Sequence, residues 1–192
     1  MARPRAFDAR EALTTVRALF WSQGFAATSM QDVTRATGIG RQSLYDTFGS
    51  KEELFEAALR EYQGSMSARV SGALVREGSM RERLTGFFDL LIDVLLAGGG
   101  RGCLLANSLA EKHQVGAGPR AVLDQNMREM ERALRDCVRA AQRAGEIPSQ
   151  PPAPVIAAFL FNAVLGLSGM ARLGTGRRRL REIAQLALDA LG

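Results

Sequence analysis

Apolar positions along the chain recur at helical spacing. Ala9, Ala12, Leu13, Val16, Leu19 and Phe20 fall at three- and four-residue steps, one face of a first helix. Gly24 followed by Phe25 reads as a glycine C-cap with an apolar residue closing the last turn. Ser29-x-x-Asp32 is a capping-box-like start to a second helix, with Met30 and Val33 pointing inward. Gly38 ends that helix, and Ile39-Gly40 completes a tight turn. Residues 41–48 form a third short helix with Leu44 and Phe48 on one face. Ser50 caps a fourth, whose first turns carry Glu52, Glu53 and Glu56, where negative charge suits the helix dipole. Leu54, Phe55, Ala58, Leu59 and Tyr62 continue its apolar face and predict a longer helix running towards Arg76.

Downstream, residues 80–96 form an amphipathic helix broken by Gly98-Gly99-Gly100. A short helix is expected over 103–112, a loop over Gly116-x-Gly118-Pro119, and a long helix over 120–144. Residues 145–154, with Pro148, Pro151, Pro152 and Pro154, read as a linker. Residues 155–172 are apolar nearly all round, which demands burial on most sides. Leu180, Ile183, Ala184, Ala187, Leu188 and Leu191 mark a final amphipathic helix. No strand pattern or repeat interrupts the series, so the expected fold is all-α. Residues 1–50 form an N-terminal head and 51–192 a helical-bundle body, with the helix over 51–76 connecting them.

Composition narrows the function classes. Of the 192 residues 46% are hydrophobic, enough for a sizeable core. The net charge of +5 permits a polyanionic partner without requiring one. Basic and acidic side chains are nearly balanced over the first sixty residues, so a DNA-binding reading must rest on pattern. The two cysteines, Cys103 and Cys137, form no Cys-x-x-Cys, which argues against a disulfide scaffold or zinc site. The start lacks the apolar core of a signal peptide, and the run from Val155 to Leu167 is short of the ~20 residues a membrane span needs. A cytoplasmic protein with no cofactor, metal or membrane partner is expected.

Two short helices joined by a glycine turn cross steeply, so that the second can enter the major groove of a duplex. On it Arg41, Gln42, Ser43, Tyr45, Asp46 and Thr47 present hydrogen-bonding groups. Thr28 and Ser29 before the first helix and Lys51 beyond the second suit phosphates. Arg3 and Arg5 read equally as an arm on DNA or as a solvated terminus.

The stretch Phe20-x-x-x-Gly24-Phe25-x-x-Thr28-Ser29-Met30-x-x-Val33, then Gly38-Ile39, then Leu44-Tyr45-x-x-Phe48-x-x-Lys51-Glu52-Glu53-Leu54 resembles the tetracycline-repressor (TetR) family. The resemblance implies an all-helical homodimer with a three-helix DNA-binding head on a ligand-binding body. It places Tyr45, Lys51 and Thr28 or Ser29 at phosphates and Arg41, Gln42 and Ser43 at bases of a palindromic operator. Gly40 departs from the pattern, standing where a Ser or Thr usually caps the recognition helix. Asp46 also departs; a carboxylate there is costly unless it accepts from a cytosine or pairs with Arg41 or Lys51.

For an unknown small-molecule effector, the candidate residues are Phe87, Phe88, Leu91, Cys103, Leu104, Asn107, Met127, Met130, Phe159 and Asn162. Each could equally be core, but Asn107 and Asn162 are amides in apolar stretches and need partners. Cys103 opens a helix, where thiol pKa values are depressed, and Gly-Cys-Leu-Leu is similar to a subgroup with electrophile- and oxidant-sensing members. The alternative is a buried cysteine acting as a small hydrophobe. His113 lies ~15 Å from Cys103 along a continuous helix, so no hydrolase pair forms locally and an enzyme is not expected. Residues 155–167, with Gly166, Ser168 and Gly169, and Leu180, Ile183, Ala187 and Leu191, read either as a dimer surface or as intrachain core. Arg177-Arg178-Arg179 oppose the dipole of the last helix and read as a solvated face. Two functions fit these features: a ligand-released DNA-binding repressor, or a helical interaction protein that kept the head as a scaffold.

Overall fold

The computed structural model describes residues 7–64, 70 and 72–191, among which every regular element is helical. The helices are α1 (Ala9–Gln23), α2 (Met30–Thr37), α3 (Arg41–Phe48), α4 (Lys51–Tyr62), α5 (Met80–Ala97), α6 (Leu104–Leu109), α7 (Ala117–Ala144), α8 (Ala153–Arg172) and α9 (Arg177–Asp189). Arg3 and Arg5 lie outside the described residues.

Local chemistry sets the boundaries. Asp8 caps α1 by accepting from Arg10 N–H and Glu11 N–H. Ser29 with Asp32, Ser50 with Glu53, and Ser79 with Glu82 form reciprocal capping boxes at α2, α4 and α5. Gly38 takes the left-handed conformation that ends α2, with its N–H donating to Thr34 O.

Past Tyr62, residues 63, 64, 70 and 72 keep helical backbone and Ala73–Val75 forms a 3-10 turn, in line with a helical stretch running towards Arg76. Two boundaries differ from the sequence expectation, at α6 and α7. Helix α6 stops at Leu109, and a 3-10 turn at Lys112–Gln114 follows. Helix α7 starts at Ala117, three residues earlier than expected, with Pro119 in its first turn, where a missing N–H costs little. The Glu52 and Glu56 carboxylates lie against Gly116 and Gly118 there, in space a Cβ would fill. They supply negative charge at a helix start that has no side-chain cap.

Two apolar cores form. One gathers Val16, Phe20, Phe25, Val33, Leu44, Phe55 and Leu59 of the head with Leu104, Leu105, Val115, Val122 and Leu123. The other lies among α5, α7, α8 and α9. The head therefore shares its core with α6 and α7. Trp21 reinforces the junction: its indole N–H donates to Gly102 O at 3.2 Å, and the Arg101 guanidinium lies 4.6 Å from its ring centroid. Helix α9 is laced to α5 by Arg181–Asp89 (2.8 Å), Arg177–Asp93 and Arg81–Asp189.

Candidate nucleic-acid interface

The orientation of α3 follows from one side chain. Leu44 is fully buried against the head core, so Arg41, Gln42, Ser43 and Asp46 are exposed together while Tyr45 and Thr47 are partly covered. Gly40 starts the helix with no side-chain cap. The polar groups pair along the helix at i,i+4. Arg41 Nη2 donates to the Tyr45 hydroxyl at 3.1 Å, and the Gln42 amide donates to Asp46 Oδ1 at 2.8 Å. Asp46 thus takes neither Arg41 nor Lys51 as its partner. Gln42 must leave Asp46 before both side chains can meet base edges.

The flanking groups divide. Thr28 is buried and its hydroxyl donates to Gly24 O at 2.7 Å, so it stabilises the corner between α1 and α2 and is withdrawn from any phosphate. Ser29 is exposed, and its own hydrogen bonds hold the Asp32 carboxyl below its usual pKa. The Lys51 ammonium lies 4.2 Å from the Phe25 ring centroid. Burial pulls its pKa down, and the Glu111 carboxylate pulls the other way. Glu111, absent from the sequence expectations, reaches the head from the turn after α6. Its Oε2 accepts from Phe25 N–H at 2.6 Å.

A cavity of about 50 Å³ lies between α4, α5, α6, α7 and α8. Leu91, Cys103, Met127 and Met130 line it, as do Tyr62, Asn126 and Phe161, which the sequence reading missed. Asn126 was findable, since it continues the inward register of Val122, Leu123, Met127 and Met130 on α7. Six expected lining residues lie elsewhere. Phe87 and Phe88 stack edge-to-face at 5.1 Å within the body core. Leu104 is buried in the core shared with the head. The Asn107 amide donates to Arg101 O at 2.7 Å, closing its own loop. Phe159 and Asn162 project from the outer side of α8. A helix apolar on every side gives no periodic signal of which side faces a cavity.

Of the two readings of Cys103, the surroundings fit the buried cysteine acting as a small hydrophobe. Burial pushes its thiol pKa up, and hydrogen bonds from Ala106 N–H, the Tyr62 hydroxyl and Leu105 N–H only partly oppose this. A depressed, reactive thiol is not what this environment makes. Cys137 is buried and its pKa is likewise raised by burial.

On the outer side of the body, Phe159, Asn162, Ala163, Gly166 and Met170 of α8 meet Ile183, Leu186 and Ala187 of α9 in an open apolar groove. Phe159 is 43% exposed and Leu186 72%. Leu180 and Ser168, expected on this surface, point inward; Ser168 Oγ accepts from Cys103 N–H at 2.9 Å. Helix α8, at 20 residues, is long and apolar enough by composition to cross a membrane. Here its inward side fills the body core.

Comparison with known proteins places this geometry. Residues 12–58 match the family profile of bacterial regulatory proteins, tetR family, and residues 80–187 that of the tetracyclin repressor-like C-terminal domain. The chain is 30% identical to the HTH-type transcriptional repressor ComR of Escherichia coli (strain K12), over 97% of this chain and 90% of that one. It is 27% identical to the HTH-type transcriptional regulator YezE of Bacillus subtilis (strain 168) over all of both chains. Among solved structures it is similar to a cysteine mutant of the TetR family transcriptional regulator CifR complexed with 26bp double-strand operator DNA. That likeness has a TM-score of 0.86 and 28% identity, over 100% of each chain. The chain belongs to the TetR family of bacterial regulatory proteins and is a DNA-binding transcriptional regulator.

Proposed function

We propose that the protein is a cytoplasmic, homodimeric repressor that holds a palindromic operator and is released when a small molecule enters the body. Residues 1–50 bind DNA; residues 51–192 bind the effector and the second copy. Arg41, Gln42 and Ser43 read bases, with Asp46 and Thr47 beside them. Ser29, Tyr45 and Lys51 hold phosphates. The observation that carries the reading is the exposed polar face of α3, held outward by the buried Leu44 and flanked by Ser29 and Lys51. Repressor relatives and the operator complex of CifR support it. The mechanism needs no catalytic step. Ligand and DNA compete through two conformations of one body, because a ligand shifts such an equilibrium only by binding one state better.

The exposed apolar face of α8 and α9 supports the dimer, since a second copy related by a two-fold axis would cover it with the same residues. Selection of bound sequences from a random DNA pool tests the whole reading. The expected result is a palindrome whose half-sites lie about 34–36 Å apart or a multiple of it. A pool with no enriched sequence favours the scaffold alternative and overturns the repressor.

A further inference from the structure

We propose that Asp46 fixes one base of each operator half-site as cytosine. Its carboxylate accepts from the exocyclic N4 amino group of that base, in the place that the Gln42 amide holds in the free protein. This rests on the reading that α3 enters the major groove, and it names a base selected there.

Asp46 and Gln42 stand one turn apart on the exposed face of α3, opposite the buried Leu44. A carboxylate on that face meets a duplex lined with phosphates, so its charge needs a partner. The protein does not supply a cation. Arg35 lies 3.3 Å from Asp32, the Arg41 guanidinium donates to the Tyr45 hydroxyl, and the Lys51 ammonium sits over the Phe25 ring. Among the described residues, the Asp46 carboxylate accepts a side-chain hydrogen bond only from Gln42, at 2.8 Å.

The partner therefore comes from the DNA, and the chemistry of the groove restricts which base provides it. An ionised carboxylate accepts and cannot donate. Guanine N7 and O6, thymine O4 and adenine N7 are acceptors; only the amino groups of cytosine and adenine donate. In an A·T pair the amino group is flanked on both sides by acceptors, adenine N7 and thymine O4. In a C·G pair guanine O6 flanks it on one side and the cytosine C5–H lies on the other. Cytosine thus offers a donor that a charged acceptor can approach without meeting lone pairs on both flanks.

The Gln42 contact has the form of the one proposed. An amide nitrogen and a cytosine N4 are both planar N–H donors, so exchanging one for the other keeps Asp46 paired. Guanine or thymine at that position brings no donor, and Gln42 then cannot leave without stranding the carboxylate against acceptors. Once cytosine takes the carboxylate, the Gln42 amide is released to a neighbouring base. The pair couples two positions of the half-site.

The test starts from the full chain and a random duplex pool. One fixed cytosine per half-site is expected. Asp46→Asn has the same shape but both donates and accepts, and is expected to move that position towards adenine, whose edge asks for one of each. Asp46→Ala is expected to open the position to all four bases. A role in folding alone would weaken binding to every sequence and move no position. On the unaltered protein, methylating N4 of that cytosine replaces the groove hydrogen and keeps the one that pairs with guanine. This is expected to weaken binding about tenfold per half-site, and not to do so for Asp46→Ala. Thermal melting shows whether the variants fold; if neither does, the methylated duplex decides on the unaltered protein. A half-site without a fixed cytosine, a cytosine still fixed in folded Asp46→Ala, or full affinity for the methylated duplex overturns the proposal. A pool with no enriched sequence strikes the repressor reading itself.

Discussion

The Glu111 carboxylate accepts a hydrogen bond from the backbone N–H of Phe25, tying the turn after α6 to the corner where α1 ends. Gly24 makes room for it. A Cβ there would come within 2.5 Å of Glu111 Oε1, and the residue sits at φ +86. Burial holds the Lys51 pKa below its ordinary value and the same carboxylate partly opposes this, while the ammonium lies over the Phe25 ring. One body residue thus sets both the shape of the head's corner and the field at a proposed phosphate contact.

Glu111→Ala should remove the acceptor of a partly buried N–H and cost about 1–3 kcal/mol of stability. Hydrogen exchange at the Phe25 amide should lose protection, while amides in the centre of α8 keep theirs. Unchanged exchange at Phe25 would show that the contact carries no energy.

Thr28 and Lys51 should separate cleanly. Thr28→Val removes a buried hydroxyl that bonds Gly24 O, so it should cost about 1 kcal/mol of stability and leave the salt dependence of DNA binding unchanged. Lys51→Ala should weaken binding to all sequences alike and reduce the slope of log affinity against log salt by about 0.9. Affinity measured at several salt concentrations distinguishes them. A reduced slope in Thr28→Val would return Thr28 to the phosphate contacts.

The contrast between these two residues shows what the sequence could reveal. Capping boxes, glycine stops and the inward Leu44 are local signals, and they delimited α2 and α3 and oriented the polar face of α3. Between Thr28 and Ser29 the sequence could not choose, because a hydroxyl before a helix looks the same whether it faces solvent or folds back onto Gly24 O. Glu111 was invisible because its partner is 86 residues away. In the body, the face of α7 was legible and carries Met127 and Met130 to the cavity, whereas on a helix apolar all round nothing told that Phe159 and Asn162 face the outer groove. Cys103 sits before a helix start as expected, but desolvation outweighs the backbone N–H groups that would lower its pKa.

Acid should act on the caps. Asp32, Glu53 and Glu82 each titrate below the ordinary 3.8 or 4.5 because the serine of each capping box bonds the charged form. The unfolded chain therefore binds more protons between the native and ordinary values, and stability falls as pH falls through that window. Melting temperature should hold above about pH 5 and drop below it. Ser50→Ala should lower it at neutral pH and flatten the acid dependence in part, since Glu53 keeps the larger bond from the Ser50 backbone N–H and loses only the one from the Ser50 hydroxyl. An acid profile identical to that of the unaltered protein would remove the cap at α4 from the account.

The face of α8 and α9 gives the sharpest test of assembly, because its residues contribute little to the fold of one chain. Leu186 is 72% exposed and Phe159 43%, so Leu186→Asp or Phe159→Asp should leave the monomer's core intact. Across a two-fold axis each substitution counts twice. At about 2 kcal/mol or more per anchoring side chain, the dimer should weaken by about a thousandfold. Sedimentation at micromolar concentration should then report a monomer with unaltered helix content. Affinity for the full palindrome should fall towards that for a half-site, because the second head is no longer delivered by the first. A variant that stays dimeric and keeps its operator affinity would place the interface elsewhere, and would leave this apolar face without an occupant.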